Sequence, residues 1–374
     1  MFFERIGYGI DKDSIPKDLE INLNKILSKN ISDSRATIKD TVCFHCKKPC
    51  TSFCNSHNIP RFCLENIAVD GNITGPNAIL GLPSMGVSIG KPFLGIGEAG
   101  TFKIICRECD SKIFQEYENP DNYHENITPT QKMLSEIAMK NYLKFISKRK
   151  LEIAILEKTL ERILEQLQQQ RIEYYPLKTI TEYRLRVSKI DLDAYINKYL
   201  RAKKLASKDN SNGFYIIYYR LVNYVVPVSI QAPIAVLIDI ENNIVNDVIN
   251  MDSKYKLADL HLCVFPLRNQ TAIILFIDEG EKRYRQFYKQ FRKQNEDDKL
   301  GIINYLIFLY CEDYFLAKEI SSKLDLKQLK NIANLTTTGW DVKPITHTSV
   351  YADDFTLSKW NCIPNLLSET YKVR

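Results

Sequence analysis

The sequence predicts an α+β protein in three unlike parts: a small Cys- and Gly-rich N-terminal module, a long connecting helix, and a C-terminal α/β domain with antiparallel strands. Three observations predict it. Seven of the ten cysteines lie between Cys43 and Cys109, and eight of the fourteen glycines between Gly71 and Gly100. No Gly or Pro interrupts the chain from Thr130 to Tyr175. Beyond Pro227 the apolar residues fall into runs of strand length. The expected boundaries are a lead-in over 1–40, the Cys-rich module over 41–127, the long helix over 128–175, and the C-terminal domain over 176–374.

In order along the chain, Lys17 to Lys29 reads as a short helix carrying Leu19, Ile21, Leu23, Ile26 and Leu27. Residues 41–127 read as loops and hairpins around a small nucleus. Thr128-Pro129-Thr130 offers an N-cap and a first-turn proline to the long helix. Apolar residues recur at helical spacing from Met133 to Leu167, and Pro176 is expected to end that helix. In the last part, Ala235–Ile240 and Ile244–Ile249 read as a hairpin turning at Glu241-Asn242-Asn243. Leu260–Pro266 and Thr271–Asp278 read as two more strands. Helices are expected after Gly280, with Tyr284, Phe287, Tyr288 and Phe291 on one stripe, and over Gly301–Ile320.

Composition bounds the function. Of 374 residues, 45% are hydrophobic and 26% charged, as in ordinary globular chains, and the formal charge of +6 permits nucleic-acid binding without arguing for it. The N-terminus has no basic start followed by an apolar stretch, and no run approaches a membrane span, so a cytoplasmic protein without membrane attachment is expected. A secreted disulfide framework would need an export signal. Paired cysteines at short spacing instead suit a metal in a reducing compartment.

Cys43-Phe-His-Cys46 and Cys106-Arg-Glu-Cys109 are two C-x2-C knuckles. Each lets two thiolates from a tight turn reach one ion, and together they complete an all-thiolate tetrahedron with no open position. Such a Zn2+ site is structural. The competing reading is redox-active or ordinary core cysteines. Cys50, Cys54 and Cys63 stay open between a second ion with His57 and packed free thiols.

Ser56-His57-Asn58-Ile59-Pro60 follows the first knuckle. A C-x2-C, a His-x-Ile-Pro step, a long Gly-rich stretch and a second C-x2-C opening a helix together resemble the zinc-containing HNH endonucleases. The resemblance covers residues 41–120 only. It implies a treble-clef, ββα-metal fold and metal-dependent cleavage of phosphodiester bonds, in DNA more than RNA. His57 would be the general base, and Asp110 would help hold a catalytic Mg2+ or Mn2+. The chain departs from the pattern where Ser56 replaces a carboxylate and Asp110 replaces an Asn. No counterpart of the central Asn precedes Cys106. Glu116 and Glu118 are the other oxygen ligands at hand. The competing readings are a core or capping His57 and an Asp110 that only caps its helix.

Lys140, Lys144 and Lys148 recur at i, i+4, i+8 on the long helix, a spacing that suits phosphate contacts or a plain solvated face. Gly95-Ile-Gly97-Glu-Ala-Gly100 matches G-x-G-x-x-G but leads into a strand toward Cys106, so it reads as a turn. The basic and aromatic residues Lys282–Arg292 read first as a core stripe, with base stacking the minor reading. Asp191-Leu-Asp193 reads as a helix start, Glu312-Asp313 as a polar helix face, and His261 as a satisfied core residue. The leading functional expectation is therefore an HNH-like endonuclease, by analogy in bacterial anti-phage defence. The alternative is a non-catalytic zinc-stabilised module that binds nucleic acid or protein. A protein partner or homo-oligomer through the long helix is a further expectation.

Overall fold

The protein is described from a computed structural model. The described residues are 40–374, apart from 78–87, 90–93, 209–211, 248–249, 251, 253, 312, 323 and 325–355, together with 29 and 32–34. The helix expected over Lys17–Lys29 lies outside them but for its last residue.

The expected mixed α/β architecture is present. Five antiparallel strands form the central sheet: β3 (Phe214–Val222), β4 (Val228–Ile234), β5 (Leu260–Pro266), β6 (Thr271–Asp278) and β7 (Tyr314–Leu316), in the order β7-β4-β5-β6-β3. Every residue of β4 and β5 is buried, so both sheet faces are covered. One face, with Ile230, Leu262, Val264 and Leu275, packs under helices α5 (Arg285–Lys293) and α6 (Glu296–Tyr310). The other, with Cys263, Phe265, Ile274 and Phe276, meets the N-terminal module and the long helix in one continuous core.

The N-terminal module is built from short pieces. Strand β1 (Ser56–His57) pairs with β2 (Thr101–Phe102), and the helices are α1 (Arg61–Ile67) and α2 (Arg107–Ile113). Ile59, Leu64, Ile105 and Phe114 bury against the sheet, and Thr74 exchanges two backbone hydrogen bonds with Leu316 on edge strand β7. The Gly-rich segment thus leans on the rest of the chain for its core.

Five expectations need correction. The long helix α3 runs Gln131–Gln168, capped by the Thr130 hydroxyl on the Met133 amide, but it is not a lone connector. A second helix, α4 (Tyr175–Ala206), folds back along it. Pro176 starts that helix instead of ending the first, because a first-turn proline has no amide to lose. Asp191 therefore sits in mid-helix, where it meets Arg149. Among the described residues, the hairpin expected over 235–249 is a turn with one isolated bridge, Ile238 to Ile244, in which the Asp239 amide bonds Asn243 O and the Val245 amide bonds Leu237 O, and the strand lies earlier at Val228–Ile234. The turn was legible: Asn242 holds φ 65° and Asp239 Oδ1 accepts from the Glu241 and Asn243 amides. The helix expected over Gly301–Ile320 spans Glu296–Tyr310, and the chain then re-enters the sheet as β7.

Candidate metal centre

The sulfur atoms of Cys43, Cys46, Cys106 and Cys109 all lie within 4.8 Å of one another. Cys43 and Cys109 are 3.8 Å apart. A tetrahedron with metal–sulfur bonds of about 2.3 Å has edges of about 3.8 Å, so the four thiols fit a zinc-sized ion. Local geometry explains why. Lys47, at φ 61°, bends the first knuckle back so that the Lys47 amide bonds Cys43 O and the Cys43 amide bonds Lys48 O. Cys106 stands at the N-cap of α2 and Cys109 lies in its first turn, which aims both sulfurs from one helix end.

The four thiols differ in their electrostatic surroundings. Burial raises the Cys43 thiol, but the amides of Cys46, Cys106 and His45 facing its sulfur bring it down to about 7. Burial pushes the Cys109 thiol far up, and its three neighbouring cysteines push it further. One thiolate is welcome there, whereas four need a metal to balance them. The centre also docks onto α4: Tyr199 bonds His45 Nδ1 at 2.6 Å and packs on Phe44, and Lys203 donates to His45 O. Burial, then Lys203 and Lys47, lowers the His45 imidazole to about 4, which leaves it neutral at pH 7.

The other site residues part company. Side chains alternate along a strand, so Ser56 and His57 face opposite ways. Ser56 Oγ donates to Asp110 Oδ1 at 2.7 Å, and Cys54 Sγ donates to Oδ2 at 3.3 Å. His57 is half-buried, and its Nε2 bonds Ile96 O at 2.8 Å, away from that carboxylate. Asp110 is also not a bare helix cap. Lys140 Nζ lies 2.9 Å from Asp110 Oδ1, 2.9 Å from Glu118 Oε1 and 3.9 Å from the Phe114 ring centroid.

Lys140, Lys144 and Lys148 consequently do not form the expected phosphate-facing row. Lys140 is 1% exposed in its pairs. Lys144 reaches Thr101 O and Asp313, and Lys148 lies by Glu152. The reason is α4 and the N-terminal module, which cover the face that the helix alone would leave in water. Among the described residues, Cys50, Cys54 and His57 form no metal group: Cys54 turns to Asp110 and Cys50 to Ser52 O. Gly95–Gly100 is a turn, as expected, with Gly100 at φ 62°.

Sequence reasoning missed Lys140 as the partner of both carboxylates. The signal was a lysine set among Ile137, Met139 and Leu143, since a cation inside an apolar stretch needs a buried partner. It also missed a polar chain behind the expected core residue His261. Asn141 Nδ2 bonds His261 Nδ1, His261 Nε2 bonds Tyr142, and Tyr142 and Lys198 both donate to Asp259. This network assigns the Nε2–H tautomer. Asp259 opens onto a cavity of about 330 Å³ rimmed by Arg201 and Arg283.

Fold and site define a mixed α/β protein with a four-cysteine cluster positioned to hold a metal ion. No family model, no curated protein and no solved structure matches the chain. Among the described residues, no helix is long and apolar enough to cross a membrane.

Proposed function

We propose that this chain is a zinc-stapled binding protein whose N-terminal module holds shape and does not cut, with nucleic acid as its partner. In this reading residues 41–127 are the staple, 128–175 a supporting helix, and 176–374 the half that binds. The observation that carries it is the Lys140 ammonium, buried between Asp110 and Glu118. A catalytic Mg2+ or Mn2+ would need those carboxylate oxygens, and the Lys140 ammonium already occupies the place between them. Plasmid nicking with magnesium or manganese tests this. The expected result is no nicking by the parent or by His57→Ala. Nicking by the parent that His57→Ala abolishes would overturn it.

One observation favours the second reading, an HNH-like DNA endonuclease. The His57 Nε2–H bond to Ile96 O fixes the tautomer and leaves Nδ1 as the acceptor a general base needs. The Ser56–Asp110 contact lies one residue along the same strand. In that reading Lys140 must yield to the catalytic ion, and the anti-phage setting is an analogy only.

A further inference from the structure

The outer face of α5 is charged in one sign only. Arg285–Lys293 reads RQFYKQFRK, with Lys282 just before it and no carboxylate within it. Phe287, Gln290 and Phe291 bury against the sheet. That leaves Lys282, Arg285, Lys289, Arg292 and Lys293 exposed, and none of the five pairs with a carboxylate among the described residues. Of the nearby acids, Glu281 is engaged by Arg283 and Glu296 by Arg220 and Lys299, while Glu279 and Asp297 stand exposed beyond the two ends of the row. Solvated helix faces ordinarily mix signs, and a single-sign row attracts a polyanion.

Aromatic rings stand beside the cations. Tyr215, 44% exposed on edge strand β3, lies 5.5 Å from the Tyr288 ring of α5. The Arg292 guanidinium lies 5.8 Å from the Tyr288 ring. A cationic track flanked by an accessible ring is the chemistry that holds single strands: phosphates meet the cations, and an unstacked base lies on the ring. A duplex keeps its bases stacked and offers the ring nothing.

We propose that the exposed face of α5, with Tyr215 and Tyr288 beside it, is a docking surface for single-stranded nucleic acid. It lies across the sheet from the four-cysteine centre, so it holds whether that module is inert or catalytic. Fluorescence anisotropy on the full chain tests it, with labelled oligothymidine and a duplex of equal length over a salt series. The parent should bind the single strand more tightly than the duplex. Combining Lys289→Gln, Arg292→Gln and Lys293→Gln should weaken binding at least about tenfold and reduce the salt slope by about 2. Tyr215→Ala should weaken it about tenfold at an unchanged slope. The proposal is overturned by a parent that does not bind oligothymidine at low salt, by preference for the duplex, or by a triple variant within twofold of the parent. The nicking assay reports on the zinc module separately, so either reading can fail alone.

Discussion

Lys140 Nζ lies 2.9 Å from Asp110 Oδ1, with 1% of the lysine side chain exposed. This ion pair joins the helix that starts after Cys106 and carries Cys109 to the long helix under the sheet. Glu118 shares the same ammonium at 2.9 Å. Removing the cation would strand two carboxylates together.

Lys140→Met should therefore destabilise the protein by about 3 kcal/mol, toward the lower end for a broken buried pair because Asp110 and Glu118 keep 21% and 33% of their side chains exposed. The variant should also gain affinity for a divalent ion. Millimolar manganese should raise its Tm and leave that of the parent unchanged. A variant as stable as the parent, or one indifferent to manganese, would contradict this account of the site.

Metal removal should reach beyond the knuckles. Ile105, Phe114 and Cys43 belong to the same core as Phe265 and Ile274 of the sheet. Cys106→Ser should abolish stoichiometric zinc and cost on the order of 5 kcal/mol, since a thiolate site contributes folding energy directly. Elemental analysis and urea unfolding check both halves. Full stability without bound metal would sink the structural role.

The pH response of His261 has a defined sign. Burial drives its imidazole down to about 4, opposed by Asp259 and assisted by Lys198. Its folded value is below the unfolded one of about 6.5. Its stabilising contribution is thus complete above about pH 6.5 and is lost as pH falls toward 4, by about 3 kcal/mol. The thiolates also take up protons in acid, but equally in parent and variant. His261→Gln should accordingly flatten the stability profile between those values relative to the parent. Identical profiles would show that the imidazole charges freely in the fold.

Gly301 sets helix propensity against packing. A Cβ there would stand 2.4 Å from Trp360 Cε3 and Cζ3. Alanine gains about 1 kcal/mol of helix propensity, while overpacking at that depth costs about 1–3 kcal/mol. Gly301→Ala should lower stability by about 1 kcal/mol and shift Trp360 fluorescence. A stabilised variant would mean that the Trp360 segment moves aside without cost.

By itself, the sequence determined what depends on neighbours along the chain. The two C-x2-C knuckles, strands β5 and β6, the Thr130 cap and the Asn242 turn each follow from local spacing, capping or backbone preference. Tertiary structure alone decided which polar groups meet. A lysine on an isolated helix faces water, and Lys140 faces Asp110 only because the N-terminal module folds over it. His57 and Asp110 are close in the motif, yet strand alternation turns one toward Ile96 and leaves Ser56 to meet the other. Pairing across long stretches of chain is set by desolvation and by the unique fit of covered surfaces, and neither leaves a periodic mark in the sequence.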